Sequence, residues 1–267
     1  MGETTMRHFA ILFAVPMLLG TSPTNAQNVF DATLAESDQR TTDVSTNELR
    51  RIIDDRSAIL LDARPPLEFS ISHIPGARNV APHPGRPAHL YVSDVMEVGR
   101  LLEGAKDRPL ILYCNGPFCG KSKRLAAELA DAGYTNVRRY QLGAPGWRAL
   151  AGAAMQTEVS ALRYIRSDAT AVWIDARDAS VFTTETIQGA RNIPMSGLRP
   201  GKDQGVVKEA KDDGRLPMED HNARIVVFGT NGKEAQAVAD AISLEAFHNV
   251  SFVAVPFEEI RRILAAK

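Results

Sequence analysis

The sequence predicts an α/β protein made of two tandem domains, each a mostly parallel sheet flanked by helices. Short apolar runs alternate with helical patterns along the chain, which is typical of parallel strands connected by helices. Three motifs recur at a constant offset of 113 positions: Asp-Ala-Arg at 62 and 175, Gly-Ala-Arg-Asn at 76 and 189, and Asn-Val at 136 and 249. A constant offset over three separate segments indicates two copies of one fold.

Composition agrees with a protein that buries a full core. The chain has 267 residues, of which 44% are hydrophobic, and its formal net charge is -1. This length is sufficient for two small domains. Because a charge near zero offers nothing to attract a polyanion, we expect no nucleic-acid partner.

The first residues have the pattern of a secretory signal. Arg7 and His8 precede an apolar run over 9–19, and small residues at 24–26 fit a signal-peptidase site. The run is shorter than the ~20 apolar residues that span a membrane, and Pro16 interrupts it. We therefore predict a signal peptide over 1–26, a periplasmic or secreted protein, and no membrane association after signal removal.

The rest of the chain divides into a polar lead-in and the two copies. The lead-in covers 27–42 and is expected to be loose, the first domain covers 43–155, and the second covers 156–267. In the first copy a short helix is expected over 43–54, capped by Ser45 or Thr46, and a strand over 58–64 that ends at two prolines. We expect the linker over 151–156 and a surface insertion over 196–222, which is rich in Gly, Pro, Lys and Asp.

Both cysteines of the protein lie where a strand leads through a loop into a helix. The apolar run 110–113 predicts a buried strand, Cys114 follows it directly, and Ser122 opens a helical pattern. At such a junction the loop amides and the positive end of the helix lower the pKa of a thiol or hold an anion. Lys121, Lys123 and Arg124 are unusual at a helix start, where acidic residues are preferred, and suggest an anionic partner.

The second copy lacks this thiol. Phe228 and Gly229 stand where the first copy has Tyr113 and Cys114, and the loop that follows is shorter by two residues. We therefore expect chemistry in the first copy only.

The motifs together resemble the rhodanese family in its tandem two-domain form, over 43–267. The segments that carry the resemblance are 61–64, 68–69, 73–79, 111–114, and 142–144 with Trp147. The resemblance implies a sulfurtransferase without cofactor, in which Cys114 takes a sulfane sulfur from thiosulfate or a persulfide donor and passes it to a thiol or cyanide. It also implies that the loop holds this small sulfur-containing anion through a set of residues: Asn115, Gly116, Pro117, Phe118, Gly120, Lys121 and Ser122.

For several side chains the sequence allows two roles. Cys119 is either a second catalytic thiol that resolves a Cys114 persulfide or half of a static disulfide with Cys114. Lys121 either balances the charge of the substrate or is simply solvated. His73 is either a base or, as we favour, a structural side chain that fixes a turn. Trp147 is expected to pack near the loop mouth, either as a core aromatic, which we favour, or as a platform for the substrate.

Asp62 and Arg64 end a strand beside the cysteine loop, where a buried ion pair supporting that loop is expected. A metal site is not indicated, because the chain has only two cysteines and their spacing is not that of a zinc knuckle.

Two other functions remain open. One is a thiol-disulfide oxidoreductase or redox sensor that uses Cys114 and Cys119, and the other is a non-enzymatic interaction module with a structural disulfide. A phosphatase is disfavoured, because no arginine stands in the Cys114 loop to clamp a phosphate.

Overall fold

The computed structural model describes residues 1–2, 28–34, 36–37, 39–80 and 94–266. In the first copy they form a five-stranded parallel sheet with strand order β1-β5-β4-β2-β3. Its elements are β1 Thr42–Asp43, α1 Thr46–Asp55, β2 Ile59–Asp62, α2 Pro66–Ile71, β3 Arg78–Asn79, α3 Val95–Leu101, β4 Leu110–Tyr113, α4 Gly120–Asp131, β5 Val137–Tyr140 and α5 Gly143–Leu150.

The second copy repeats this architecture, with strand order β6-β10-β9-β7-β8. Its elements are β6 Met155–Thr157, α6 Leu162–Arg166, β7 Val172–Asp175, α7 Ala179–Thr184, β8 Arg191–Asn192, α8 Gly205–Asp212, β9 Ile225–Phe228, α9 Gly232–Ser243, β10 Val250–Val253 and α10 Phe257–Ala265. Equivalent residues pair in the two sheets, since Asp62 lies opposite Asn79 in the first and Asp175 lies opposite Asn192 in the second. The predicted fold class, two parallel-sheet domains flanked by helices, is confirmed.

The side chains of β4 alternate between the two faces of the first sheet and pack in two different core clusters. Leu110 and Leu112 pack in one cluster together with Cys114, whereas Ile111 and Tyr113 pack in another. Successive side chains of a strand point to opposite faces, so the thiol lies on the face that α3 and α4 cover.

A polar network fixes the carboxyl end of the second strand in each copy. The Asp62 carboxylate pairs with the Arg64 guanidinium at 2.6 Å, and Asp175 pairs with Arg177 at 2.7 Å. In each copy an asparagine, Asn79 or Asn192, donates to two carbonyls of the same strand end. The copy without a thiol holds the same network, and the network therefore shapes the fold of both copies.

Several sequence-based boundaries were wrong. The first helix begins at Thr46 rather than at 43, because Asp43 belongs to β1 and Ser45 caps the helix by accepting from the Glu48 amide at 3.2 Å. The second proline of the pair begins a helix, α2, since its fixed φ suits the first helical position. The helix after the cysteine loop begins at Gly120, with Cys119 as its N-cap.

Two segments that were expected to be surface connections contain secondary structure of the second copy. Met155 and Gln156 were assigned to the linker but form β6, where buried Met155 pairs with Ser251 of β10. The expected insertion over 196–222 contains α8, whose Val206 and Val207 are buried. The helical spacing of the apolar residues in α8 was not recognised in the sequence, because Gly, Pro and Lys dominate the residues around them.

Of the predicted signal peptide over 1–26, residues 3–26 lie outside the described part of the chain. Among the residues that are described, no helix has the length and apolar character needed to cross a membrane.

Candidate active site

The carboxyl end of β4 and the start of α4 hold the two cysteines in one site. Cys114 follows β4, and its carbonyl accepts a hydrogen bond from the Ala144 amide at 2.9 Å. This close approach requires Gly143, which has a φ of +61°, because a Cβ there would lie 2.2 Å from the Cys114 carbonyl oxygen. The start of α5 thus fixes the position of the first thiol.

Cys114 is a buried thiol. Its residue exposure is 2%, and its Sγ donates to the Cys119 carbonyl at 3.0 Å and lies 3.3 Å from the Ser122 hydroxyl. A hydrogen bond with the Cys119 side chain and burial both raise the pKa of Cys114. We expected Cys114 to be the ionised and reachable sulfur, but in this structure Cys114 is buried and its pKa is raised.

Cys119 has the properties that were expected of its neighbour. The hydrogen bond with Cys114 lowers the pKa of Cys119 to about 5, burial opposes this, and the backbone amides of Asn115 and Lys121 lower it further. The Cys119 side chain is only half-buried. Both cysteines are free thiols rather than a disulfide. The pair therefore combines an accessible sulfur, Cys119, that favours the thiolate with a buried one, Cys114, that favours the thiol.

A cavity of about 350 Å³ opens beside Cys119. The other residues that line it are Pro117, Phe118, Gly120, Lys123, Glu36 and Ser37. Glu36 bridges two cations, with its carboxylate 3.5 Å from the Lys123 ammonium and 3.0 Å from the Arg139 guanidinium. The lead-in was expected to be loose, but these ion pairs attach its Glu36 to α4 and to the sheet.

Two of the three bases at the start of α4 face acids of the protein itself. The Lys123 ammonium also donates to the Ser37 carbonyl at 3.0 Å, and Arg124 lies 3.4 Å from Glu128 one turn later. No described residue forms an ion pair with Lys121, which leaves it as the base of this group that is available to an anionic substrate.

The remaining loop residues support the site in different ways. The Asn115 amide donates to the Glu68 carboxylate at 2.6 Å and ties the loop to α2. Gly116 has a φ of +92°, which favours glycine. Phe118 is completely exposed at the tip of the loop, and Ser122 is buried against Cys114.

Arg64 acts away from the thiols. Burial alone would lower the pKa of Arg64, but the hydrogen bonds and charge of Asp62 raise it above its usual range, so the guanidinium stays charged. The guanidinium also donates to the Ser72 carbonyl at 2.7 Å, at the end of α2. The pair supports the strand end and α2, and α2 in turn contacts the loop through Glu68.

His73 and Trp147 lie outside the loop. Burial lowers the pKa of His73 to about 4, and its backbone exchanges two hydrogen bonds with Gln156 of the second copy. Trp147 is buried in the core cluster on the sheet face opposite to Cys114, and its indole nitrogen lies 3.5 Å from the Ala154 carbonyl. The structural interpretations of these two side chains fit this placement, and Trp147 does not line the loop mouth.

Sequence reasoning missed Glu36 and Gly143 as parts of the site. Glu36 lies in a polar segment with no pattern of its own, and only the basic start of α4 hinted that a carboxylate packs nearby. Gly143 was quoted as a motif residue without a role, and its positive φ and close approach to Cys114 become visible only in three dimensions.

The corresponding loop of the second copy is filled by the chain itself. The Glu234 carboxylate accepts from the Thr230 amide at 2.5 Å, and the Asn231 side chain accepts from the amides of Lys233 and Glu234. A Cβ placed on Gly229 would lie 2.9 Å from the Glu234 carboxylate. This loop thus uses its own side chains where the first copy has its two thiols.

The described residues contain no group of three or more His, Cys, Asp or Glu side chains that could hold a metal ion.

Part of the chain is similar in sequence to a transcriptional regulator. HTH-type transcriptional regulator Rv0324 of Mycobacterium tuberculosis is 31% identical over 109 residues, which cover 41% of this chain and 42% of the regulator. The chain thus spans less than half of that relative's length.

Solved structures match more of the chain at lower identity. SseA from Escherichia coli, described as a 3-mercaptopyruvate sulfotransferase with the rhodanese fold, has 21% identity and a TM-score of 0.34 over 80% of this chain and 97% of its own. An anaerobic ergothioneine biosynthesis enzyme from Chlorobium limicola has 15% identity and a TM-score of 0.33 over 80% of this chain and 59% of its own.

A family model extends across both copies. The model described as a rhodanese-like domain matches residues 45–150 and again residues 158–262. These two matches include each parallel sheet almost entirely, and the first includes both thiols. The chain therefore belongs to the rhodanese-like domain family, of which it contains two tandem copies.

Proposed function

We propose that this protein is an exported sulfurtransferase that carries a sulfane sulfur on the Cys114–Cys119 pair. The observation that carries the proposal is the arrangement of Cys119, which caps α4, lines a cavity, and has a pKa that the Cys114 thiol and the amides of Asn115 and Lys121 lower. Amides directed at a sulfur stabilise the anionic forms through which sulfur transfer proceeds. The family of the chain supports the same reaction class.

The donor in the proposal is a small anion such as thiosulfate or a persulfide. The Cys119 thiolate attacks the outer sulfur of thiosulfate, the sulfur–sulfur bond of the donor breaks, and sulfite leaves with the bonding electron pair. Cys119 then carries a persulfide. Lys121 and the amides at the start of α4 offset the negative charge of the incoming donor.

Cys114 follows as the persulfide carrier that the sequence predicts. Its sulfur attacks the outer sulfur of the Cys119 persulfide, its proton passes to the sulfur of Cys119, and the sulfane sulfur moves inward. For delivery, the sulfane sulfur returns to the accessible Cys119 by the reverse of this step. An acceptor thiolate then attacks the terminal sulfur, takes it away as a new persulfide, and leaves a thiolate on the protein. Burial of Cys114 shields this intermediate from water and oxidants.

The experiment measures sulfur loading and turnover in Cys114→Ser and Cys119→Ser. Wild type incubated with thiosulfate should release sulfite and gain the mass of one sulfur atom, located on Cys114 by peptide mass spectrometry. Cys119→Ser should neither load nor turn over, whereas Cys114→Ser should load on Cys119 and transfer to glutathione or cyanide more slowly. Thr230→Ala, in the corresponding loop of the second copy, is the control and should match wild type.

Some results would contradict the proposal. Wild-type protein that gains no sulfur from thiosulfate, inorganic polysulfide or glutathione persulfide is not a sulfurtransferase. Full loading of Cys119→Ser would show that Cys114, and not Cys119, attacks the sulfur donor.

A second candidate is a thiol-disulfide oxidoreductase, which the contact between two thiols of unequal pKa favours. The same mass spectra separate the two functions, because an oxidoreductase loses two hydrogens on oxidation and gains no sulfur. Cys114→Ser should then trap a mixed disulfide between Cys119 and its client.

A further inference from the structure

A cleft of about 960 Å³ separates the two copies at a place remote from the cysteines. One wall is the carboxyl end of α1 and the amino end of β2, and the other is the start of α9 and the end of β10. Its volume is in the range of ~300–1,000 Å³ that is typical of small-molecule sites. None of the residues that line it belongs to the loop of Cys114 and Cys119.

The charged residues that line this cleft have one sign. Arg56 and Arg78 enter it from the first copy and Lys233 from the second, and the described residues that line it include no Asp or Glu. Within the described part of the chain, none of these three cations forms an ion pair or a side-chain hydrogen bond. Three cations of two domains around one space favour an anion there.

The floor of the cleft is apolar, with polar groups at its edge. Ile52, Ile53 and Ile59 are only partly buried and leave hydrocarbon surface facing the cleft. The side-chain amides of Gln156 and Gln236 also line it and can donate to oxygen atoms of a ligand. This combination of an apolar surface and a few polar groups is typical of sites for organic ligands.

The start of α9 does not itself hold the anion. The Asn231 side chain already accepts hydrogen bonds from the amides of Lys233 and Glu234, and the Glu234 carboxylate accepts one from the amide of Thr230. The guanidinium and ammonium groups of Arg56, Arg78 and Lys233 must therefore provide the positive charge.

From these contacts we infer that the cleft between the copies binds a small organic anion that has an apolar body. An anionic group would lie among the three cations while the hydrocarbon part covers the isoleucines. The site is separate from the thiol pair, and the inference does not depend on the proposed sulfur chemistry.

The experiment titrates the full chain with the fluorescent probe anilinonaphthalene sulfonate, which has a sulfonate on an aromatic body. Wild type should bind it at one saturable site. The triple variant Arg56→Gln/Arg78→Gln/Lys233→Gln should raise the Kd at least about ten-fold, a change equal to about 1.4 kcal/mol. The control Arg108→Gln/Lys202→Gln/Lys208→Gln removes the same charge from exposed positions outside the cleft and should leave the Kd within about two-fold.

Further measurements keep the inference falsifiable. Cys119→Ser should bind the probe like wild type, and inorganic sulfate should displace it only at much higher concentration because sulfate has no apolar part. The inference fails if both triple variants lose affinity equally, if the cleft variant binds like wild type, or if sulfate competes as well as the organic anion. Circular dichroism shows whether the triple variants fold. If the triple cleft variant does not fold, the single variant Lys233→Gln is titrated instead, because Lys233 is exposed.

Discussion

At the scale of single residues, the two thiols differ because of what surrounds each sulfur. The motif around Cys114 predicted the strand-to-helix junction and the presence of a reactive sulfur there. It could not predict which sulfur is accessible, because the loop returns over Cys114 and places Cys119 at the surface. That path depends on contacts with α5 and the lead-in, which no local pattern contains.

This difference predicts the order of alkylation by iodoacetamide. At pH 6, which lies above the pKa of about 5 at Cys119, that residue should react first and Cys114 should stay largely unmodified. Cys114→Ala removes the hydrogen bond to the Cys119 sulfur, so the pKa of Cys119 should rise and its reaction at pH 6 should slow. Peptide mass spectrometry over a pH series measures both effects, and faster modification of Cys114 in wild type would refute the assignment.

At the scale of elements, the strands were predicted well because buried parallel strands are continuous apolar runs with clear ends. The pattern did not reveal α2, since two prolines and a short polar turn suggested only a break. The pattern also did not predict β1 and β6. These strands are too short to show an alternation of apolar and polar residues, and they form because neighbouring strands supply their hydrogen-bond partners. Contacts between distant segments decide such elements.

The contact between the cysteine loop and the start of α5 leads to a prediction at this scale. Gly143→Ala adds a Cβ that would lie 2.2 Å from the Cys114 carbonyl oxygen and 2.4 Å from the Gly116 amide nitrogen. Backbone atoms cannot yield as a flexible side chain does, so the free energy of unfolding should fall by about 3 kcal/mol or more and the loop should shift.

Gly76→Ala is the matched control for this variant. Gly76 has a similarly positive φ of +79°, but no atom lies within 4 Å of the added Cβ. It should cost only about 1 kcal/mol from backbone strain. Urea unfolding of both variants measures the difference, and equal losses would show that the contact with Cys114 contributes nothing.

At the scale of the whole molecule, the repeat was the feature that the sequence revealed most completely. The constant offset corresponds to the same strand order and the same Asp-Arg-Asn network in both copies. How the copies meet was not predictable, because their junction is made of single contacts such as those between His73 and Gln156. Asp240 of α9 belongs to this junction and accepts from the Ala154 amide at 2.8 Å.

The junction should make stability depend on pH. Burial raises the pKa of Asp240 from 3.8 to about 6, so the folded protein keeps a proton that the unfolded chain loses between these values. The free energy of unfolding should therefore fall as the pH rises from about 4 to 6, by up to about 3 kcal/mol.

Asp240→Asn keeps the acceptor for Ala154 and removes the charge. It should be more stable than wild type at pH 7, and its unfolding free energy should depend less on pH between about 4 and 6. Urea titrations at several pH values measure this, with exposed Asp107→Asn as the control. Equal or lower stability of Asp240→Asn at pH 7 would exclude a buried, charged Asp240 as the cause.

The Glu234 carboxylate beside Gly229 has an evolutionary consequence. A cysteine at 229 would meet that carboxylate at once, and the acid would repel an ionised sulfur. A working thiol in the second copy thus needs at least two coordinated substitutions, one that introduces the cysteine and one that removes the Glu234 carboxylate. No single substitution at 229 therefore gives the second copy a site like that of the first.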